Sequence, residues 1–377
     1  MTEVSPLFTP FELGKLHLRN RFVMPAMQRG MCDNGRPKPE LAAYYARRAE
    51  GGVTLIIGES AAVDHPSATV QPSSAHLNAR TAEAWARCVG AVRGAGGQML
   101  LQLWHEGALR TDGNALSPSG RVHPGKDNGR AMTREEMQAI GEGFVRSALI
   151  ARDIGAAGVE VHCAHGYLLD QFLWPGSNVR EDGYGGPEVA DRVRFPAEIV
   201  RAIRAECGLD FLISLRFSQW KEVDYAAKVA ADPAELERMV TILRDAGVDV
   251  LHCSTRRFWE PEWAGDGKNL AGWVKALSGL PTITVGSVGL DTDVMTTFIE
   301  AKDPGSRVPE AIADLEARLA AGEFDLVAVG RALIGDPDFV RKLESGDHGA
   351  IKTFSRADLG SLEWDTSIVE EAHNVPA

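Results

Sequence analysis

Eight short apolar runs, each followed by something polar, constrain this chain more than any other feature. They are FVMPAM from Phe22, VTLIIGES from Val53, QMLLQLWH from Gln98, VEVHCAH from Val159, FLISLRF from Phe211, VDVLHCS from Val248, TITVGS from Thr282 and DLVAVGR from Asp325. Continuous runs of this kind suit strands buried on both faces, as in a parallel sheet. Helical patterns lie between them. Thr133 and Glu136 make a capping box ahead of Met137, Ile140 and Phe144. Asp232, Pro233 and Glu235 open a helix that turns Leu236, Val240 and Leu243 inward. Trp85, Cys88, Val89 and Val92 mark another, which stops at Gly94, Gly96 and Gly97. Strand–helix alternation repeated eight times predicts an α/β fold, the (β/α)8 TIM barrel. A doubly wound sheet is the alternative, but no GxGxxG follows any strand. No linker, low-complexity tract or repeat divides the chain, so residues 1–377 read as a single domain. Excursion loops are expected after strands 3 and 6, at residues 106–130 and 256–269, and a break in the seventh crossover near 303–309.

The chain carries a net charge of −12. That balance argues against nucleic acid or an anionic membrane as partner, while leaving room for a local phosphate pocket. Five scattered cysteines form no CxxC pair, which fits a reduced cytoplasmic protein rather than a disulfide scaffold. The sequence opens without a basic stretch and apolar core, and no apolar stretch approaches the roughly 20 residues of a membrane span.

Barrels of this class place their chemistry at the C-terminal strand ends. The polar residues expected there are Gln28, Glu59, Ser60, Gln102, His105, His162, His165, Tyr167, Arg216, Ser218, His252, Ser287 and Arg331. The set is poor in carboxylates. A glycosidase needs two facing acids, and Glu59 has no obvious partner. A metal hydrolase needs several ligands; His162 and His165 supply two, with no convincing acidic companion, so no metal site is predicted. From the residues alone, His162, His165 and Tyr167 admit a metal site, a proton relay or a satisfied turn. GSVG from Gly286 and GR at Gly330–Arg331 follow the last two strands, where backbone N–H groups commonly hold a phosphate in this fold. Arg331 would add a charge-assisted contact. In RRFWEPEWAGDG, the aromatics Phe258, Trp259 and Trp263 either line a substrate pocket or pack the loop onto the rim.

The chain resembles the Old Yellow Enzyme family of FMN-dependent NAD(P)H:flavin oxidoreductases. The resemblance runs through LFTPFELGKLHLRNRFVMPAM, LLQLWHEG, VEVHCAHGYLLDQFLWPGSNVREDGYGG, ISLRFS, TVGSVG and VAVGRALIGDPDF, in the family's order. It implies a (β/α)8 barrel that takes hydride from NADH or NADPH onto FMN and passes it to an activated C=C bond. It implies that His162 and His165 donate hydrogen bonds to the substrate's carbonyl or nitro oxygen and that Tyr167 supplies the proton. Gln102 is expected on the flavin pyrimidine edge and Arg216 near flavin N1 and O2. Gly286, Ser287, Gly330 and Arg331 are expected at the phosphate. Pro25, Ala26 and Met27 would line the flavin, and Trp104 would shape substrate orientation. Two positions depart from the commoner pattern. Gln28 replaces Thr or Cys beside the flavin, and Ser60 replaces Ala or Gly, where its hydroxyl could contact flavin O4 or make a local turn bond. HEGALR departs from HxGR, and no role passes to Arg110. The expected partners are an electrophilic alkene and NAD(P)H, in a possible homo-oligomer. Oxidation or demethylation of a small N-methyl amine is the rival activity, with a metal-dependent hydrolase and a non-enzymatic binding barrel further off.

Overall fold

The computed structural model describes residues 4–363. Eight parallel strands close on themselves: β1 (Phe22–Met24), β2 (Leu55–Ala62), β3 (Gln98–Trp104), β4 (Gly158–His165), β5 (Leu212–Lys221), β6 (Val250–Ser254), β7 (Thr282–Val285) and β8 (Leu326–Ala328). Each pairs with its sequence neighbour, and β8 pairs with β1 to seal the ring. Every one overlaps a run read from the sequence, with β2, β4 and β5 extending past theirs, and the predicted barrel is the observed fold.

The crossovers are helical: α1 (Pro39–Glu50), α2 (Ala82–Gly94), α3 (Arg134–Asp153), α4 (Arg194–Cys207), α5 (Pro233–Ala246), α6 (Leu270–Ser278), α7 (Val308–Ala320) and α8 (Phe339–Glu344). Thr133 Oγ1 accepts from Glu136 N and the Glu136 carboxylate accepts from Thr133 N, completing the expected capping box. Asp232 caps α5 through Glu235 N. A short helix, Val294–Ile299, precedes α7, and residues 300–307 between the two are not helical, overlapping the first part of the break expected near 303–309.

Two apolar layers hold the barrel. Outward-facing residues such as Ile56, Leu101, Val161, Leu215, Leu251 and Val327 pack under the helices. Inward-facing Val23, Leu55, Ile57, Leu100, Leu212, Val250, Ile283 and Leu326 fill the lower barrel. Leu13 and Leu18 join this inner layer from an antiparallel hairpin, Phe11–Leu13 with Leu16–Leu18. The hairpin floors the barrel at the strands' N-terminal end, so the open face lies at the other.

The loop at 106–130 builds its own small structure: Leu116–Ser117 pairs with Arg130–Ala131, and Arg121–His123 with Lys126–Asp127. In the 256–269 loop the aromatics pack onto the rim. Phe258 is fully buried, Arg307 lies over the Trp259 ring, and Trp263 sits edge-on to Trp273 while donating Nε1–H to Ala231 O. All five cysteines are buried and free. No helix among the described residues is long and apolar enough to cross a membrane.

Candidate active site

Strand alternation sends residues i, i+2 and i+4 to the same face. On β4 this aims Gly158, Glu160 and His162 inward; on β5, Ser214 and Arg216; on β6, His252 and Ser254. Register then aligns them in rows. Gln102, Glu160 and Ser214 lie side by side across β3–β5, and His162, Arg216 and His252 across β4–β6, one step nearer the open face.

The lower row is a closed polar network. The Glu160 carboxylate is fully buried and accepts from Gln102 Nε2 (2.8 Å), Ser214 Oγ (2.9 Å) and His252 Nδ1 (2.8 Å). Burial alone would raise its pKa, but His252, Arg216 and Gln102 outweigh that and hold it at about 2. Burial pushes His252 below its ordinary value. The ionised Glu160 carboxylate can only accept, so His252 presents an Nδ1–H to it. Arg216, just above, is the cation that balances Glu160; its Nη1 donates to Ala26 O (3.2 Å) and its Nη2 to Ser254 Oγ (3.2 Å), while Nε has no partner among the described residues.

Over this network opens a cavity of about 350 Å³. Its wall brings together Pro25, Ala26, Met27 and Gln28 after β1, Ser60 on β2, Gln102 on β3, His162, His165 and Tyr167 from β4, Arg216 on β5, Gly286 and Ser287 after β7, and Gly330 and Arg331 after β8. Trp104 stands behind that wall, with its ring edge-on to Tyr167 at 5.4 Å between centroids. Glu59 and His105 serve locally instead: Glu59 accepts from Arg29 N, and His105 bonds Ser67 Oγ and accepts from Gly107 N.

His162 Nδ1 accepts the Ala164 N–H at 3.3 Å, which leaves the ring proton on Nε2. Burial, then the Arg216 charge, pushes His162 down to about 3, so the ring is neutral at physiological pH. His165 ends β4 with φ at +66°, a conformation rare outside glycine that swings its ring across the barrel mouth. Its ring lies 5.3 Å from His162 and 4.9 Å from Trp220, and its Nε2 is 2.8 Å from Ser254 Oγ. Burial lowers its pKa as well. Tyr167 packs 5.1 Å from His162, and burial raises its phenol above the ordinary value, keeping it protonated.

A buried ion pair pins this corner. Lys221 Nζ donates to Asp170 Oδ1 (2.8 Å) and to Ser218 O (2.8 Å), both charged groups being fully buried. Asp170 Oδ2 accepts from Gly166 N (2.6 Å), the residue between the His165 bend and Tyr167.

At the β7–β8 end, Arg331 reaches Ser287 Oγ (3.3 Å), Thr292 O and Asp293 O (3.1 Å). Arg256, from the excursion loop, shares that wall and pairs with Asp293 at 2.6 Å. Gly286 is a close approach: a Cβ there would lie 2.6 Å from Thr255 Oγ1 and 2.9 Å from Phe258 N. Sequence reading missed Glu160, Ser254, Arg256, Trp220 and Glu222 as parts of this site. The parity of His162 and of His252 pointed to Glu160 and Ser254; nothing local pointed to Arg256 or Glu222.

The family model of the NADH:flavin oxidoreductase / NADH oxidase family matches residues 6–348. The chain is 32% identical over 381 residues to the NADH oxidase of Thermoanaerobacter brockii, covering 96% of this chain but only 54% of that protein, so it spans about half of its length. It is 31% identical over 356 residues to 12-oxophytodienoate reductase 1 of Oryza sativa subsp. japonica, covering 90% of this chain and 86% of that one. A solved structure of morphinone reductase in complex with tetrahydroNAD superposes with a TM-score of 0.77 at 26% identity, covering 94% and 93% of the two chains. The chain belongs to the NADH:flavin oxidoreductase / NADH oxidase family, that of Old Yellow Enzyme, and is an FMN-dependent NAD(P)H oxidoreductase. The residues fit the cofactor: a buried Arg216 Nε without a hydrogen-bond partner among the described residues, the Arg331 guanidinium lining the same wall beside Gly286 and Gly330, and a cavity within the usual ligand-site range.

Proposed function

We propose that the enzyme reduces the activated C=C bond of α,β-unsaturated carbonyl or nitro compounds. The observation that carries this reading is the grouping of two neutral imidazoles and a protonated phenol on one wall of the cavity. When bound, FMN supplies hydride chemistry, accepting from NAD(P)H and delivering to the alkene's β carbon.

The protein residues do the rest. His162 Nε2–H and the His165 ring donate to the substrate oxygen, on which negative charge grows as the β carbon is reduced. Neutral donors fixed before the reaction stabilise that charge without reorganisation. Tyr167 gives its hydroxyl proton to the α carbon and is reprotonated from solvent. Gln102, oriented by Glu160, and Arg216 would hold the pyrimidine edge of FMN; Pro25, Ala26, Met27, Gln28 and Ser60 would flank its ring, and Gly286, Ser287, Gly330 and Arg331 its phosphate. Ser60 Oγ already donates to Gln102 Oε1 at 2.5 Å, which favours an orienting role over direct contact with the flavin. Trp104 would act through Tyr167, whose ring it backs.

The test is anaerobic absorbance spectroscopy of the holoenzyme with NADH or NADPH, followed by 2-cyclohexenone. Flavin absorbance that bleaches and then returns is expected. Bleaching that persists through enones and nitroalkenes would overturn the reading and redirect the search to amine oxidation.

A further inference from the structure

We propose that Ser254 is a positioning residue that fixes the tautomer of His165, so that this imidazole presents Nδ1–H to the substrate. Nothing in the sequence motif of His165 determines which ring nitrogen carries the proton. The hydroxyl of Ser254, at the end of β6, does so from across the barrel.

The argument is one of donor accounting. Ser254 Oγ lies 3.2 Å from Arg216 Nη2 and 2.8 Å from His165 Nε2. The guanidinium can only donate, so it occupies a lone pair of the hydroxyl. It also repels the hydroxyl hydrogen, turning it away from the cation. Among the described residues, His165 Nε2 is the acceptor within reach of that hydrogen. Ser254 therefore donates to Nε2, and the ring proton resides on Nδ1. His165 Nδ1 has no hydrogen-bond partner among the described residues, and the residue lines the cavity. His162 uses the opposite tautomer, Nε2–H, because its Nδ1 accepts from Ala164 N. The two rings thus offer one N–H each. The main chain of Ser254 is anchored too, its carbonyl accepting from Trp220 Nε1 at 3.1 Å, while Trp220 lies against the His165 ring.

This rests on the reading of His165 as an oxyanion donor, and the experiment separates the two. Nitrogen-15 NMR of holoenzyme labelled at histidine, with His165 assigned by its loss in His165→Ala, reads the tautomer directly. A pyrrole-type Nδ1 and a pyridine-type Nε2 are expected. In Ser254→Ala, which only removes an atom, both nitrogens should move toward averaged shifts; Ser254→Thr should restore them. Affinity for 4-hydroxybenzaldehyde, whose phenolate oxygen mimics the developing charge, should weaken about tenfold in Ser254→Ala, as expected for one weakened hydrogen bond. A protonated Nε2 in the parent enzyme, or shifts and affinity unchanged in Ser254→Ala, would overturn the proposal. Unchanged phenol affinity in His165→Ala would instead remove the oxyanion role while leaving the tautomer assignment standing.

Discussion

Replacing Lys221 by Met removes the cation of a fully buried ion pair at nearly constant volume, and its cost can be worked from the geometry. The ammonium gives up its bonds to Asp170 Oδ1 and Ser218 O, worth about 1–2 kcal/mol net between them. Asp170 keeps only the Gly166 N–H. Burial already pushes Asp170 up to about 6 against the opposing pull of Lys221. Without the cation it rises further and stays protonated at pH 7. An acid whose folded pKa is raised contributes stability that is lost as pH rises through that value. Both proteins share this loss below pH 6, so their difference is flat there. Above pH 6 only the variant continues to lose, by about 1.4 kcal/mol per pH unit. The total deficit at pH 7 is therefore about 3 kcal/mol, at the lower end for breaking one buried pair. Urea melts at pH 5.5, 7 and 8 read it directly. Lys221→Met/Asp170→Asn keeps an acceptor for Gly166 N without a charge, and should cost less than the sum of the single substitutions. A deficit independent of pH, or strictly additive single substitutions, would refute the account of Asp170 and Lys221 as a coupled buried pair.

Tyr167→Phe should slow reoxidation by 2-cyclohexenone about 10²-fold or more while leaving reduction by NAD(P)H nearly unchanged, as stopped-flow absorbance would resolve. Gly286→Ala puts a methyl group against Thr255 and Phe258 N and should weaken FMN retention at least tenfold, measured as flavin lost on dialysis. His105 and His162 are both pushed down to about 3 by burial, so the unfolded chain takes up protons below pH 6.5 that the folded chain refuses. Stability should therefore fall as pH drops, by about 2 kcal/mol per histidine at pH 5. His105→Gln should flatten the dependence of Tm on pH between 6.5 and 5; an unchanged slope would contradict it.

The barrel was legible because strands buried on both faces cannot hide their composition. FLISLRF and TITVGS announce themselves without knowledge of their partners. The Phe11–Leu18 hairpin was not, since its three-residue strands lie in a segment with no comparable run. The far half of β5 was also hidden: Ser218, Gln219 and Lys221 look like loop, yet all are buried, because Asp170 and neighbouring carbonyls satisfy them. The cavity residues were found through motif and strand-end position together. Glu160 was passed over as one polar residue in an apolar run; its meaning lies in Gln102, Ser214 and His252, which only strand register brings to it. Phe258, Trp259 and Trp263 left two readings open, and which side of the loop they occupy depends on Arg307, Trp273 and Ala231, distant in sequence.

The filled lower barrel, with the hairpin packed beneath it, makes a cup rather than a pipe. The inner apolar layer and Leu13 and Leu18 below it close the lower end, so whatever reaches the two imidazoles arrives and departs through the same mouth. For the proposed reaction, if both reactants use this cavity, the spent nicotinamide must vacate before the alkene docks. Initial-rate plots should then run parallel, and an excess of either reactant should crowd out the other.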